Sequence, residues 1–204
     1  MSVRDTSIDP RLLESAKAEF MKRGFLKAEL KTICDNAGVT TGAVYKRYKG
    51  KEELFCAVVE EAVLAFKEFI GERSRLDFSA MTDDEVKNTW VMNEKYTLDV
   101  FKMIWDYRDE FALLLEKSAG TIYEDYRHDF SSQMTEAYMK YYKEARKRGL
   151  ANVEITKQEM HVLCTSFWNS IYEPFIHGMS WKEIESHCKV LCRFFDWANA
   201  IGLK

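Results

Sequence analysis

Apolar residues in this chain recur at intervals of three and four, which is the spacing of amphipathic helices. The first predicted helix covers about residues 9–23, where Asp9 suits an N-cap and Pro10 fits the first helical position. Two short helices then flank a tight turn at residues 37–39. A longer helix with a broad apolar face follows over roughly residues 51–71 and connects this region to the rest of the chain.

Three later helix starts are marked by capping boxes, in which a Ser or Thr N-cap is followed three residues on by Glu. They are Thr82 with Glu85, Thr156 with Glu159, and Ser180 with Glu183. The last third therefore divides into helices over about 156–177 and 180–200, preceded by helices over 108–117 and 121–148. The pattern predicts an all-α protein with about nine helices and no strand.

Composition agrees with a helical chain that carries a sizeable core. Of 204 residues, 47% are hydrophobic, and only 9 are Gly and 2 are Pro, too few for a loop-rich β protein. No apolar run reaches the roughly 18 residues that cross a bilayer, and residues 1–11 do not resemble a signal peptide, so we expect a cytoplasmic protein without a membrane partner. The five cysteines, odd in number and without C-x-x-C spacing, are expected to be reduced.

The net charge of −3 hides an asymmetry along the chain. Residues 1–51 carry 11 Lys and Arg against 6 Asp and Glu, whereas the remainder has an excess of acids. Between Asn36 and Lys51 there are basic residues and no acid, which is a local pattern typical of contact with a phosphate backbone.

The turn at residues 37–39 has the residue types that a helix-turn-helix requires. Ala37 is small enough for two helices to cross, Gly38 can adopt positive φ, and Val39 is an apolar plug that fixes their angle. The second short helix would then present its N-terminal end, with Thr40 and Thr41, to a DNA major groove.

These residues resemble the N-terminal domain of TetR-family transcriptional regulators over about residues 8–56. The resemblance rests on Gly24-Phe25, Ile33, the run from Ala37 to Tyr45, Tyr48, Lys51-Glu52 and Leu54. It implies an all-α homodimer with a three-helix DNA-binding head in residues 1–52. It further implies a larger ligand-binding and dimerisation domain in residues 53–204. A small molecule bound in that domain would release the head from a palindromic DNA operator.

The resemblance also implies which side chains contact DNA. The residues carried over, with basic neighbours added, are Lys27, Thr40, Thr41, Gly42, Ala43, Tyr45, Lys46, Arg47 and Lys51. Thr41 to Ala43 would lie nearest the bases, and Tyr45, Lys46 and Lys51 nearest the phosphates. Ala28 departs from the family pattern, since it stands where a Thr usually caps the second helix; Lys27 is the candidate that compensates for that contact.

The last two helices are apolar on two sides, which favours burial on two sides. One side is expected to pack on its own subunit and the other on a second copy, in a two-fold four-helix interface. The predicted interface residues are Phe167, Ile171, Phe175, Ile184, Cys188, Leu191 and Phe195.

Aromatic side chains interspersed with polar ones predict a pocket for an apolar or cationic effector, although such a stripe is also typical of a core. The candidate lining residues are Trp90, Asn93, Tyr96, Phe101, Trp105, Tyr123, Tyr126, Trp168 and Glu173. The sequence names neither the effector nor the operator.

Other functions have weaker support in the sequence. Cys188 and Cys192 are one helical turn apart and could make the same fold a redox-responsive or metal-responsive regulator, although no metal ligand set or cofactor is predicted. No nucleophile elbow, P-loop, dinucleotide fingerprint or H-E-x-x-H motif is present, so we do not expect an enzyme. A helical protein-binding adaptor without DNA binding would leave the basic helix-turn-helix unexplained.

Overall fold

The computed structural model describes residues 8–204 and confirms the all-α class. These residues form two compact units, one of residues 8–66 with 107–127 and the other of residues 67–106 with 128–204. The helices are α1 (Ile8–Lys27), α2 (Leu30–Ala37), α3 (Thr41–Tyr45), α4 (Lys51–Ser74), α5 (Asp83–Asn88), α6 (Glu94–Asp106), α7 (Arg108–Ala112), α8 (Tyr126–Lys147), α9 (Lys157–Ile176), α10 (Trp181–Phe194) and α11 (Trp197–Ala200). A 3₁₀ turn covers Phe78–Ala80 and a π-helical turn covers Leu113–Lys117. The predicted boundary between domains at residues 52 and 53 stays a prediction.

The first unit contains α1 to α3, the beginning of α4, and α7 with its π-helical turn. Its core is built by the apolar faces that the periodicity predicts, and Leu12, Ile33 and Leu54 have no exposed surface. Phe20 and Phe55 meet edge to face, with ring centroids 5.1 Å apart. Because α1, α2 and α4 all contribute to this core, the short helix α3 is held through buried Val44 rather than by its own length.

Gly24 breaks α1 near its end, with φ 71° and ψ 163°. This conformation is open to glycine and strained for other residues, so the helix expected to end at about residue 23 is interrupted at Gly24. The chain then resumes a helical turn as far as Lys27 before α2 begins.

Capping boxes open α5 and α9 as predicted. The Oγ1 of Thr156 accepts a hydrogen bond from Glu159 N, and Thr156 N donates to the Glu159 carboxylate at 2.7 Å. Ser180 N donates in the same way to Glu183.

Two helices begin or end at a different residue in the structure from the one that the sequence predicts. The helix expected from residue 121 begins at Tyr126, because buried Ser118 and Thr121 hydrogen-bond nearby carbonyls and hold a turn instead. The last helix ends at Phe194, because Phe195 takes extended angles and Asp196 caps the separate helix α11.

The second unit packs α6 against α10 and buries α8 and α9 at its centre. Arg148 fastens the 3₁₀ turn to the end of α8, since its guanidinium donates to the carbonyls of Phe78 and Met81. Over residues 8–204 no helix combines the length and the apolar character needed to span a membrane.

Candidate nucleic-acid interface and ligand cavity

The turn between α2 and α3 has the geometry of a helix-turn-helix. Gly38 ends α2 in the left-handed region at φ 67°, and Val39 N donates back to Cys34 O at 3.0 Å. Thr40 then caps α3, its Oγ1 accepting from Ala43 N at 3.2 Å. These local bonds fix where α3 starts, as the sequence predicts.

The N-terminal end of α3 faces outward. Thr40, Thr41 and Gly42 are exposed, and Ala43 is half-buried. Tyr45 is 60% exposed although it is a large aromatic residue, and Lys46 beside it is exposed as well. An exposed Tyr beside Lys at the end of a short helix suits contact with a phosphate backbone better than a role in the core.

Arg47 has a structural place rather than an outward one, which departs from its assignment to DNA. Its side chain is 8% exposed, its Nε donates to Asp9 Oδ1 at 2.5 Å, and its Nη1 donates to Ala43 O at 3.1 Å. The guanidinium thus ties α3 to the first turn of α1. A side chain so occupied has little surface left for a phosphate.

Lys51 likewise has hydrogen-bond partners within the chain. Its Nζ donates to Ala28 O at 2.9 Å and to Leu26 O at 3.3 Å, and lies 4.6 Å from the centroid of the Phe25 ring. Burial lowers the pKa of this ammonium. Lys51 therefore holds the turn between α1 and α2, while Lys27 in that turn is exposed.

The start of α2 has a partner that sequence reasoning missed. Ala28 is buried, and Glu29 occupies the N-cap without using its side chain. Glu29 N donates instead to the carboxylate of Glu19 at 3.4 Å, and that carboxylate also pairs with Arg23 Nε at 3.2 Å. A buried acid on a helix is an ambiguous signal in sequence, because most such residues lie on a solvated face.

The second unit contains a cavity of about 430 Å³, within the range of small-molecule sites. Its wall is strongly aromatic: Tyr138 stacks on Trp197 at 5.4 Å between ring centroids, and Trp90 lies 6.0 Å from Tyr138. Phe167 and Trp168 of α9 complete this part of the wall. Polar side chains also line it, namely Glu72, Asn88, Thr89, Asn93, Tyr96, Thr97 and Tyr141.

Four of the predicted ligand-binding residues line this cavity, namely Trp90, Asn93, Tyr96 and Trp168. The others lie elsewhere. Phe101 and Trp105 pack on Phe175, at 6.1 and 6.4 Å between ring centroids, and Glu173 is half-buried beside His177, with 3.2 Å between carboxylate and imidazole. Tyr123 and Tyr126 belong to the first unit, where burial raises the pKa of both phenols.

The predicted interface residues are largely buried within the chain itself, and their place in a dimer interface stays a prediction. Ile184, Cys188 and Leu191 are at most 3% exposed, on the face of α10 that packs against α6. Phe167 and Ile171 line the cavity. Half-buried Phe175 packs on Phe101 and Trp105, and half-buried Phe195 packs on Phe167. The apolar residues that α9 and α10 do expose are Val162, Val190 and Phe194, at 63%, 62% and 79%.

The two thiols considered for metal or redox sensing lie together on α10. Cys188 Sγ donates to Glu94 O and Cys192 Sγ to Thr97 Oγ1, both at 3.6 Å. Burial and the neighbouring Cys192 raise the pKa of Cys188 to about 12, so its thiol stays protonated. Within the part of the chain that the structure describes, no cluster of three or more His, Cys, Asp or Glu side chains suits a metal ion.

An all-α chain with an outward-facing helix-turn-helix is typical of DNA-binding regulators. Residues 12–58 match the sequence model described as bacterial regulatory proteins, tetR family. The resemblance found in the sequence is thereby confirmed over these residues.

Solved structures support the fold along most of the chain. A candidate fatty acid metabolism regulator of Clostridium perfringens is similar at 18% identity and a TM-score of 0.63, covering 91% of this chain and 97% of its own. SmeT in complex with triclosan is similar at 18% sequence identity and a TM-score of 0.62, and the match covers 96% of this chain and 91% of SmeT. NalD, the secondary repressor of the MexAB-OprM multidrug efflux pump in Pseudomonas aeruginosa, is similar at 14% identity and a TM-score of 0.55, and the match covers 92% of this chain and 94% of NalD. No curated protein sequence matches the chain significantly.

Proposed function

We propose that this protein is a homodimeric repressor that binds a palindromic operator and leaves it when a small molecule binds. The observation that carries this proposal is the exposed N-terminal end of α3, where Thr41 and Gly42 lie beside exposed Tyr45 and Lys46. Small side chains there let the backbone approach base edges and phosphates closely, and the basic residue adds attraction to the backbone. A repressor of this kind works in the cytoplasm, beside the chromosome.

Thr41 and Ala43 are too short for the bidentate hydrogen bonds that read guanine or adenine. We therefore expect recognition through thymine methyl groups and DNA shape, with a specificity that depends on both half-sites of the palindrome.

Selection of bound duplexes from random DNA with the purified chain tests this function. At about 100 mM salt we expect a palindromic consensus with half-sites roughly one helical turn or somewhat more apart, and weaker enrichment at higher salt. Enrichment of a non-palindromic sequence would contradict the dimer. A folded, ligand-free protein that enriches nothing would favour a protein-binding adaptor instead.

The dimer is supported by the apolar residues that α9 and α10 leave exposed. Val162, Val190 and Phe194 are each more than 60% exposed, and large exposed apolar side chains on neighbouring helices favour burial against a partner. A second copy presents the same helices, so a two-fold interface would cover both sets at once.

Phe194→Ser is expected to weaken the dimer, because it removes about 150–250 Å² of aromatic surface from each side of the interface. Sedimentation velocity over a dilution series measures the dissociation constant, which we expect to rise at least about 10-fold. Ile122→Ser is the matched control, since Ile122 is 71% exposed but lies outside α9 and α10. An equal effect of both substitutions would remove the support for this interface.

Effector binding is supported by the aromatic cavity of the second unit. The structurally similar SmeT is solved with triclosan, a small molecule. We propose that the cavity holds the effector and that binding biases α4, which begins at Lys51 and contributes Glu72 to the cavity wall. Coupling of this kind is usually worth about 1–3 kcal/mol, or about a 5- to 150-fold change in DNA affinity.

A further inference from the structure

Two of the four histidines of the chain lie together in the second unit. His128 of α8 and His161 of α9 have ring centroids 5.5 Å apart, with an angle of 70° between the ring planes. Their spacing in the sequence matches no metal-binding motif, and neither side chain lines the aromatic cavity. The pair is therefore a feature that effector binding does not account for.

The hydrogen bonds of Thr135 fix which nitrogen of His161 carries the proton. Thr135 Oγ1 lies 2.7 Å from Ser131 O and 3.1 Å from His161 Nδ1. A hydroxyl has one proton and a carbonyl can only accept, so Thr135 donates to Ser131 O and accepts from Nδ1–H of His161. The lone pair of neutral His161 is therefore on Nε2. A histidine whose other nitrogen donates to a fixed acceptor is the usual arrangement of a metal ligand.

Both imidazoles can be reached from solvent. His128 is exposed and makes no hydrogen bond or ion pair within the described part of the chain. His161 is half-buried, and its Nε2 is not among the buried, unpaired side-chain atoms of the described residues. Since Nε2 has no protein partner there, this atom keeps contact with solvent. The exposed ring of His128 can rotate about its two side-chain bonds and turn a nitrogen towards it.

The separation of the two rings fits a shared metal ion. Zn²⁺ binds imidazole nitrogen at about 2.0–2.1 Å with tetrahedral geometry, which places the centroids of two imidazole ligands about 5 Å apart. The observed distance of 5.5 Å is close to this value, and the exposed His128 side chain can adjust. Mg²⁺ and Ca²⁺ prefer oxygen ligands, so two imidazoles favour a transition metal.

We propose that His128 and His161 bind one divalent transition-metal ion of the Zn²⁺ class, with water in its remaining coordination positions. Two protein ligands are fewer than zinc enzymes and zinc fingers usually supply, so the ion exchanges with solvent and is not needed for folding. The ion joins α8 to α9, and its binding therefore stabilises the second unit. The proposal is independent of operator binding and of the effector.

Isothermal titration calorimetry of the purified, untagged full chain with ZnCl₂ measures this binding, and MgCl₂ supplies the control ion. We expect one Zn²⁺ to bind per chain at the pair, and Mg²⁺ to show no such binding. His128→Gln and His161→Gln each remove one imidazole ligand, so each should weaken Zn²⁺ binding at least about 10-fold. Saturating Zn²⁺ should also raise the Tm of the unmodified chain, and this increase should be lost in both variants.

Two more substitutions test the role of Thr135 and the specificity of the pair. Thr135→Val removes the hydroxyl that orients His161 and keeps the shape of the side chain, so it should weaken Zn²⁺ binding about 10-fold. His177→Gln is the matched control, because His177 is 72% exposed beside Glu173 and lies about 24 Å along α9 from His161. Circular dichroism checks that each variant folds. His128→Gln changes an exposed side chain, so its result stands even if Thr135→Val does not fold.

The proposal is overturned if Zn²⁺ binds no more tightly than Mg²⁺, or if His128→Gln leaves Zn²⁺ binding unchanged. Equal losses in His128→Gln and His177→Gln would also contradict it, because they would show that any exposed imidazole serves. Zn²⁺ binding that survives substitution of both His128 and His161 would assign the ion to other side chains, such as the thiols of α10, and not to the pair.

Discussion

Lys46 and Lys51 have different environments, and a pair of substitutions separates a DNA contact from a structural role. Lys46 is exposed at the end of α3, whereas the Lys51 ammonium donates to two backbone carbonyls. We expect Lys46→Met to weaken DNA binding without affecting stability. Lys51→Met should instead lower the stability of the fold. The two variants are comparable because each removes one positive charge and keeps an unbranched side chain.

The size of the DNA effect follows from counterion release. Each phosphate contact contributes about 0.9 to the slope of log affinity against log salt. A two-fold dimer loses two contacts when Lys46 is replaced, so the slope should fall by about 1.8 and affinity at 0.1 M salt by about 60-fold. The loss should be similar for every duplex, because a phosphate contact carries no sequence information.

The size of the stability effect follows from the bonds of Lys51. The two hydrogen bonds to backbone carbonyls stabilise the fold, but the desolvation that lowers the pKa of this ammonium offsets part of their contribution, which leaves about 1 kcal/mol. For a chain of this length, 1 kcal/mol corresponds to about 2–4 °C in Tm, so we expect a loss of that size. The methionine stem keeps its packing near Phe25, which isolates the ammonium.

Fluorescence anisotropy with operator DNA between 50 and 300 mM salt and differential scanning calorimetry measure the two effects. An unchanged salt slope for Lys46→Met would refute its role at a phosphate. A reduced slope with an unchanged Tm for Lys51→Met would show that its ammonium faces DNA, as the sequence predicts, and would refute the structural role.

Two further predictions concern α3 and α9. Thr41→Ala should change the preferred base at one position of each half-site in a repeated selection, and a uniform loss across all sequences would contradict base reading by Thr41. Hydrogen bonds from Thr156 N and then Thr156 Oγ1 lower the pKa of Glu159, so its stabilising effect is present above the unfolded-state pKa and is lost as pH falls through the folded-state value. The difference in free energy of unfolding between the natural chain and Glu159→Gln should therefore shrink below about pH 4, and a constant difference in urea titrations at pH 3 to 7 would argue against it.

The helix-turn-helix could be predicted from the sequence because its determinants are local. Gly38 and Thr40 act within a few residues of themselves, through a left-handed turn and an N-cap bond. The capping box at Thr156 is equally local and marks the start of α9 within one residue. Arg47 could not be placed in this way, because its partner Asp9 is 38 residues away in sequence.

The faces of α9 and α10 show where periodicity stops being informative. A helix that is apolar on two sides is buried on two sides, but the pattern does not say whether each partner is the same subunit or another. The stripe with Ile184 and Leu191 is covered by α6 of the same chain. What remains exposed on α10 is a sparser set around Val190 and Phe194, which composition alone would class as ordinary surface.

The cavity is a second feature that the sequence pattern does not determine. The sequence identifies Trp90 and Trp168 as aromatic candidates, but an aromatic residue at helical spacing is equally consistent with a packed core. They are lining residues because a cavity lies beside them, and that cavity is formed jointly by residues between Glu72 and Trp197. Trp197 also lines it, although it belongs to a short helix that the periodicity did not separate from α10. The site is therefore a tertiary property, which the pattern of no single helix shows.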